Sequence, residues 1–185
     1  MGKGVRLRAA TADDAPALAA IYGDACLHGV GTFEEVPPDA AEMARRQAAI
    51  LALGLPYYVA ELDGAVAGYA YASPFRPRTG YRYAAEDSVY IAPSAKGQGL
   101  GRALLTRVIA DCEAMRLRQL MAVIGGSDNH GSIRLHESLG FVHKGVIEAV
   151  GFKLGAWRDI VLMQKPLNGG AGSLPDVAGL RLGGG

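Results

Sequence analysis

Two spacings of apolar residues organise this chain, one with the period of a strand and one with the period of a helix. Val5-Arg6-Leu7-Arg8 predicts a first strand. Thr11, Asp13-Asp14 and Pro16 then mark a helix start, with Asp14 three residues after Thr11 as in a capping box, and Leu18, Ile21 and Tyr22 carry the helix to about Leu27. Residues 28–38, with His28, Gly29, Gly31, Pro37 and Pro38, form a loop that is a candidate for facing a ligand, and a second helix follows over 39–53. Tyr57 to Leu62, Asp63-Gly64 and Ala65 to Tyr71 make an antiparallel hairpin. A polar, proline-bearing loop from Ser73 to about Tyr81 leads into a strand that ends near Ile91, and Pro93 stops it. Leu100, Ala103, Leu104, Val108 and Ile109 then recur at helical spacing over 99–115. The remainder predicts a strand over 119–124, a loop through Asn129, a short helix over 131–138 and strands near 141–151 and 159–165. This order predicts an α/β fold, with a mixed, mostly antiparallel central sheet flanked by helices in three layers, α/β/α. From Asn168 the glycines dominate and the periodicity stops, so we expect a domain over 1–167 and a flexible glycine-rich tail over 168–185.

Composition narrows the function classes. A length of 185 residues suffices for one domain with a sizeable core. Lys+Arg 19 against Asp+Glu 18 leaves a formal net charge of +1, so nothing in the charge balance points to nucleic acid, a membrane surface or a polyanion. A small-molecule substrate is the expectation. Cys26 and Cys112 lie in helix-patterned segments without a CxxC spacing, which reads as buried reduced thiols and not as a disulfide or metal site. The start of the chain lacks the apolar core of a secretory leader, no run approaches the about 18 apolar residues of a membrane span, and Arg6 stands where a myristoylation signal after Gly2 needs Ser or Thr. We therefore expect a cytoplasmic protein without a metal.

The chemistry begins at Lys96-Gly97-Gln98-Gly99-Leu100-Gly101, between the end of a strand and the start of a helix. Glycine tolerates positive φ and has no Cβ, so backbone N–H groups can converge there on an anion at the helix N-terminus. Lys96 and Arg102 add positive charge beside it. A Walker loop would need Gly-Lys-Ser/Thr, and here Arg102-Ala103 follows the last glycine. A dinucleotide fingerprint would need G-x-G-x-x-G, and here the third glycine comes one residue early.

The hexamer resembles instead the Q/R-x-x-G-x-G/A acyl-CoA loop of the GNAT N-acetyltransferases, with Lys96 in the first position. Glu86-Asp87-Ser88-Val89-Tyr90-Ile91, Asn129-x-x-Ser132, Leu135-His136-Glu137-Ser138-Leu139-Gly140-Phe141 and Gly151-Phe152-Lys153-x-Gly155-x-Trp157-x-Asp159 extend the resemblance. Over residues 5–167 they are similar to the phosphinothricin and methionine sulfoximine acetyltransferase subgroup.

That resemblance implies acetyl-CoA as cosubstrate, a homodimer, and a set of roles. Gly97 to Arg102, Gln98 and Leu100 included, would take the pyrophosphate beside Lys96. Backbone groups of Val89, Tyr90 and Ile91, on what the family has as a bulged strand, would hold the pantetheine arm and polarise the acetyl carbonyl. Asn129 would bond the same arm with Ser132 beside it, although either residue would equally cap the short helix. Glu86 occupies the position of the base, and Asp87 would point to the opposite face of its strand. His136 stands where many acetyltransferases carry the tyrosine that protonates the leaving thiolate. Phe33, Phe75, Arg76, Pro77 and Arg82 would line the acceptor pocket, with Arg78 a third nearby cation. Lys153 and Trp157 read as core or interface packing.

The function so implied is acetyl transfer to the free amine of a small amino-acid analogue by direct attack, because neither cysteine is a placed nucleophile. Two alternatives remain open at this level. One is a non-catalytic acyl-CoA sensor, against which the joint presence of Glu86 and His136 argues. The other is acetylation of a peptide or protein N-terminus.

Overall fold

The computed structural model of the chain describes residues 4–182, so Met1-Gly2-Lys3, where the leader and myristoylation readings fall, and the terminal Gly183-Gly184-Gly185 lie outside the described residues. Strands β1 (Val5–Ala9), β2 (Tyr57–Leu62), β3 (Ala65–Pro74), β4 (Ala84–Ile91), β5 (Gln119–Gly125), β6 (Val142–Lys153) and β7 (Ala156–Pro166) form one seven-stranded sheet in the order β1-β2-β3-β4-β5-β7-β6. Only β4 and β5 run parallel; every other neighbouring pair is antiparallel. Among the described residues four α-helices, α1 (Ala15–His28), α2 (Ala40–Ala52), α3 (Leu100–Ala114) and α4 (His130–Glu137), complete the expected α/β architecture.

Strand alternation sorts the core into two layers. Val59 and Tyr69 pack with Leu18, Tyr22, Cys26 and Met43 of α1 and α2, while Ala60, Ala70 and Ala85 face Leu104, Leu105 and Val108 of α3. Local chemistry sets the boundaries. The Asp39 carboxylate caps α2 by accepting from Glu42 N at 2.8 Å. Thr11 N donates to the Asp14 carboxylate at 2.7 Å, one half of the expected capping box. Asp63 at φ 52° and Gly64 at φ 85° turn β2 into β3 in two residues, as the hairpin reading requires. Leu154 at φ 51° and Gly155 at φ 72° turn β6 into β7 in the same way, so this second hairpin is longer at its tip than the apolar pattern indicates. Both cysteines are free and buried.

The glycine-rich segment after Asn168 departs from the expected flexible tail, because through residue 182 it is laid against the domain. Arg118 donates to Ser173 O at 2.9 Å, Ser173 Oγ at 2.7 Å and Leu174 O at 2.7 Å, and also to Asn168 O. Tyr83 Oη donates to Val177 O at 2.7 Å, and Leu180 is buried. Irregular backbone held by Arg118 and Tyr83 has no periodicity to read.

Candidate active site

The site is made by a parallel pair of strands that comes apart. β4 and β5 are in register only at Ala84↔Gln119, Ala85↔Leu120 and Glu86↔Met121. Beyond Glu86, β4 stays with β3 and β5 stays with β7. The wedge between them is a cavity of about 1120 Å³, with Glu86 at its vertex. Val89, Tyr90 and Ile91 line it from β4, and residues 87–91 have no strand on their β5 side. The bulge expected in this strand is absent, since the register with β3 is unbroken from Gly68↔Ile91 to Pro74↔Ala85. Separation from β5, and not a bulge, frees these backbone groups. The Tyr90 ring itself packs, edge-on to Tyr22 at 5.0 Å and stacked on Tyr69 at 5.3 Å.

Strand alternation sends two adjacent carboxylates to opposite faces. Glu86 faces the cavity, and burial pushes its carboxyl up to about 7, against the pull of Arg76 and with a further push from Asp87. A carboxyl poised there exchanges a proton near neutral pH, which is what a general base requires. Asp87 points to the α3 and α4 side, where its Oδ2 lies 3.0 Å from His136 Nε2. His136 Nδ1 lies 2.7 Å from Ser132 O, so the ring is held at both nitrogens. Burial alone would lower the His136 pKa, but the hydrogen bond and charge of Asp87, with Ser132 O, outweigh it and raise the value. The ring lines the cavity while its protons are engaged inside the protein. In this geometry His136 fastens α4 to β4, with both ring nitrogens engaged.

Gly97 and Gly99 adopt φ 77° and 81°, and Gly99 is the N-cap of α3. Nothing lies within 4 Å of a Cβ at either, so the loop presents an open backbone face, and the first turn of α3 has no side-chain cap to compete with an anion. Gly101 differs, because its Cβ would stand 3.2 Å from Leu135 Cδ2, a tight contact between α3 and α4. Lys96, Leu100 and Arg102 also line the cavity. Gln98 does not, since it is exposed and turns back to donate to Ser94 O at 3.4 Å. Across the wedge, Asn129 caps α4 by accepting from Ser132 N at 3.3 Å, and Asn129 Nδ2 donates to Gly125 O at 3.3 Å. Both Asn129 and Ser132 line the cavity, so capping and lining coincide. The open glycine turn, the bare helix start and the adjacent cations fit the pyrophosphate of a CoA thioester.

The acceptor side departs most from expectation. Phe33 lines the cavity, with Val30 and Thr32 of the same loop, as the 28–38 reading anticipates. Phe75, Arg76, Pro77 and Arg82 do not. Phe75 packs edge-on to Tyr81 at 5.8 Å, Arg76 donates to Phe75 O at 2.8 Å and lies over that ring, and Arg82 donates to Thr79 O at 3.0 Å. These side chains satisfy one another within their own turn, and of the four only Arg76 reaches the site, through its charge on Glu86. Sequence reasoning leaves Val30, Thr32 and Gly125 unmarked, and it reads Lys153 as packing, without its bonds to Ala25 O and Thr32 O. Gly125 is required by contact, because a Cβ there would fall 1.8 Å from Val30 O.

A sheet opened at a parallel pair, an anion-ready helix start on one arm and a half-buried carboxyl at the vertex together suit an enzyme that transfers a group from a phosphate-bearing donor. Comparison with known proteins makes the class specific: the acetyltransferase (GNAT) family matches residues 21–141, and the chain belongs to that family. It is therefore an N-acetyltransferase with acetyl-CoA as cosubstrate. It is 56% identical over 164 residues, 89% of this chain and 83% of the relative, to a phosphinothricin N-acetyltransferase of Alcaligenes faecalis. It is 39% identical over 163 residues, 88% of this chain and 94% of the relative, to an L-methionine sulfoximine/L-methionine sulfone acetyltransferase of Salmonella typhimurium. Among solved structures, a GNAT superfamily phosphinothricin acetyltransferase from Sinorhizobium meliloti in complex with AcCoA superposes with a TM-score of 0.89 at 47% identity, covering 93% of both chains. No helix among the described residues is long and apolar enough to cross a membrane.

Proposed function

We propose that this enzyme moves the acetyl group of acetyl-CoA to the free amine of a small amino-acid analogue, with phosphinothricin, methionine sulfoximine and methionine sulfone as the acceptors to test first. The observation that carries this reading is Glu86, a carboxyl held near neutrality at the vertex of the cavity. The amine nitrogen attacks the thioester carbonyl carbon directly, the C–S bond breaks, and the ammonium proton passes to Glu86. Backbone groups of Val89, Tyr90 and Ile91 orient the donor, the loop from Lys96 to Arg102 holds its pyrophosphate, and Asn129 and Ser132 close the opposite side. The leaving thiolate takes its proton from solvent in the open cleft. The names of the relatives support the acceptor class.

Thiol release from acetyl-CoA, screened over those three acceptors and a panel of peptide amines, tests the reading. We expect turnover with at least one of the three and none with peptides. Turnover with peptides alone would make the protein a peptide acetyltransferase, and tight acetyl-CoA binding without any turnover would make it a sensor.

Two further parts of the reading concern its setting. A homodimer through the β6–β7 face is supported by Val146, Ile147, Val150, Phe152 and Trp157, all exposed there, with Trp157 67% exposed. A cytoplasmic location is supported by two free, buried thiols.

A further inference from the structure

The last residue of β6 is a lysine with 1% of its surface exposed. Its ammonium has no carboxylate within ion-pair distance among the described residues. Lys153 Nζ donates instead to two backbone carbonyls, Ala25 O at 3.1 Å and Thr32 O at 2.7 Å. The first lies in the last turn of α1, where the helix dipole favours a cation. The second lies in the irregular loop that forms one wall of the active-site cavity. Burying an ammonium costs more than burying an aliphatic side chain of the same length, so this residue is a poor choice for packing alone.

Three other contacts seat the same loop. The Val30 carbonyl occupies the space a Cβ would need at Gly125, and the Phe33 ring occupies the space a Cβ would need at Gly151, where the gap is 2.3 Å. From below, Tyr22 Oη and Thr32 Oγ1 are 2.7 Å apart. These contacts set how closely the loop approaches the sheet. Lys153 alone ties it at once to α1 and to β6, through acceptors that lie 128 and 121 residues before it in sequence.

We propose that Lys153 is a positioning residue for the acceptor, whose ammonium clamps the loop over residues 29–33 so that Phe33 stands at a fixed height above Glu86. The inference rests on the acceptor occupying the end of the cavity between that loop and Glu86. The loop carries no hydrogen-bonded secondary structure of its own, so without the clamp Thr32 O loses its ammonium donor and the wall lifts, while Ala25 O keeps its bond from Gly29 N.

Lys153→Met, which keeps the stem and removes the donors, tests the clamp with two independent readouts. We expect KM for the acceptor to rise about tenfold or more, the effect of an unmade buried hydrogen bond, while kcat at saturating acceptor and the acetyl-CoA dissociation constant stay within about twofold. Hydrogen exchange of the amides at 29–34, measured without acceptor, should accelerate by a comparable factor. Equal losses in kcat and acetyl-CoA affinity, or unchanged exchange in that loop, would overturn the proposal. Should the methionine variant not fold, Lys153→Gln, whose shorter amide reaches at most one of the carbonyls, is read by the same criteria. Failure of the wild-type enzyme to acetylate any amino-acid analogue would refute the acceptor reading, and the exchange measurement would still decide the clamp.

Discussion

Replacing Glu86 by Gln separates rate from stability in opposite directions, and the structure sets the size of both. Burial raises the Glu86 carboxyl from 4.5 to about 7. Folded protein therefore binds this proton more tightly than unfolded chain does. The stability contributed by a neutral Glu86 is full below pH 4.5, is lost as the pH rises, and is gone above about 7. At 1.36 kcal/mol per unit, the loss comes to about 3 kcal/mol. Glutamine has nearly the same shape and never ionises. Glu86→Gln should match the wild type at pH 4 and exceed it by about 3 kcal/mol at pH 7 and above, roughly 6–12 °C in melting temperature for a chain of this length.

The same substitution removes the base. The wild-type kcat/KM for the acceptor should rise with pH and inflect near 7, since the protonated carboxyl accepts nothing. The variant should lose that inflection and about 10²–10⁴ in kcat/KM. Thermal melts of both proteins in matched buffers from pH 4 to pH 8, beside initial rates by thiol release, are sufficient. Parallel stability curves would show that Glu86 is not buried as a neutral acid, and a variant that keeps the inflection would show that another group is titrating.

Three further outcomes follow from the geometry. Gly99→Val meets no clash, because nothing lies within 4 Å of its Cβ, but φ 81° is a left-handed backbone that valine resists by about 1–2 kcal/mol; calorimetry should find acetyl-CoA bound roughly 5–30-fold more weakly, and an unchanged dissociation constant would remove this loop from the binding site. Asp87→Asn should destabilise the fold by about 3–5 kcal/mol near pH 6, because it strands His136 without its carboxylate. Asp87 holds the folded-state pKa of His136 above 6.5, so the advantage of the pair is full below that value and fades as the pH rises through the raised one; a gap that does not narrow from pH 6 to pH 9 would contradict the pairing. Sedimentation velocity should find a dimer that Trp157→Glu converts to monomer, and a wild type that is monomeric at micromolar concentration would dismiss the β6–β7 interface.

What could be read before the structure was known is what the chain encodes locally. Asp63-Gly64 announces its turn because only residues tolerant of positive φ fit there, and Gly97 and Gly99 announce theirs for the same reason. Glu86 and Asp87 are assigned to opposite faces of their strand by alternation alone, and on its own face Asp87 meets His136. The errors lie where partners are remote. Lys153 finds Thr32 across 121 residues, and Arg118 finds Leu174 across 56, and no local pattern marks either contact. Arg82 misleads for the complementary reason: a cation close to Glu86 in sequence is not thereby close to the cavity, because Arg82 finds its acceptor three residues away within its own turn.

The early end of the β4–β5 pairing links the two halves of the chemistry. Pairing stops at Glu86↔Met121, so Glu86 is the last β4 residue that β5 covers, and there its carboxyl is sufficiently desolvated to titrate near 7. One residue further the cover is gone, and the backbone of 87–91 has unpaired polar groups on that side. Such groups are costly to leave both buried and unsatisfied, so whatever fills the wedge has to present amides or carbonyls along its length, as a strand would. The pantetheine arm of acetyl-CoA has two such amides, and in the proposed binding mode it would enter from the end where the glycine turn would receive the pyrophosphate. Longer pairing would bury Glu86 further and close the slot, whereas shorter pairing would open the slot and return the carboxyl to water. On the proposed roles, a single register would therefore place the base and admit the donor.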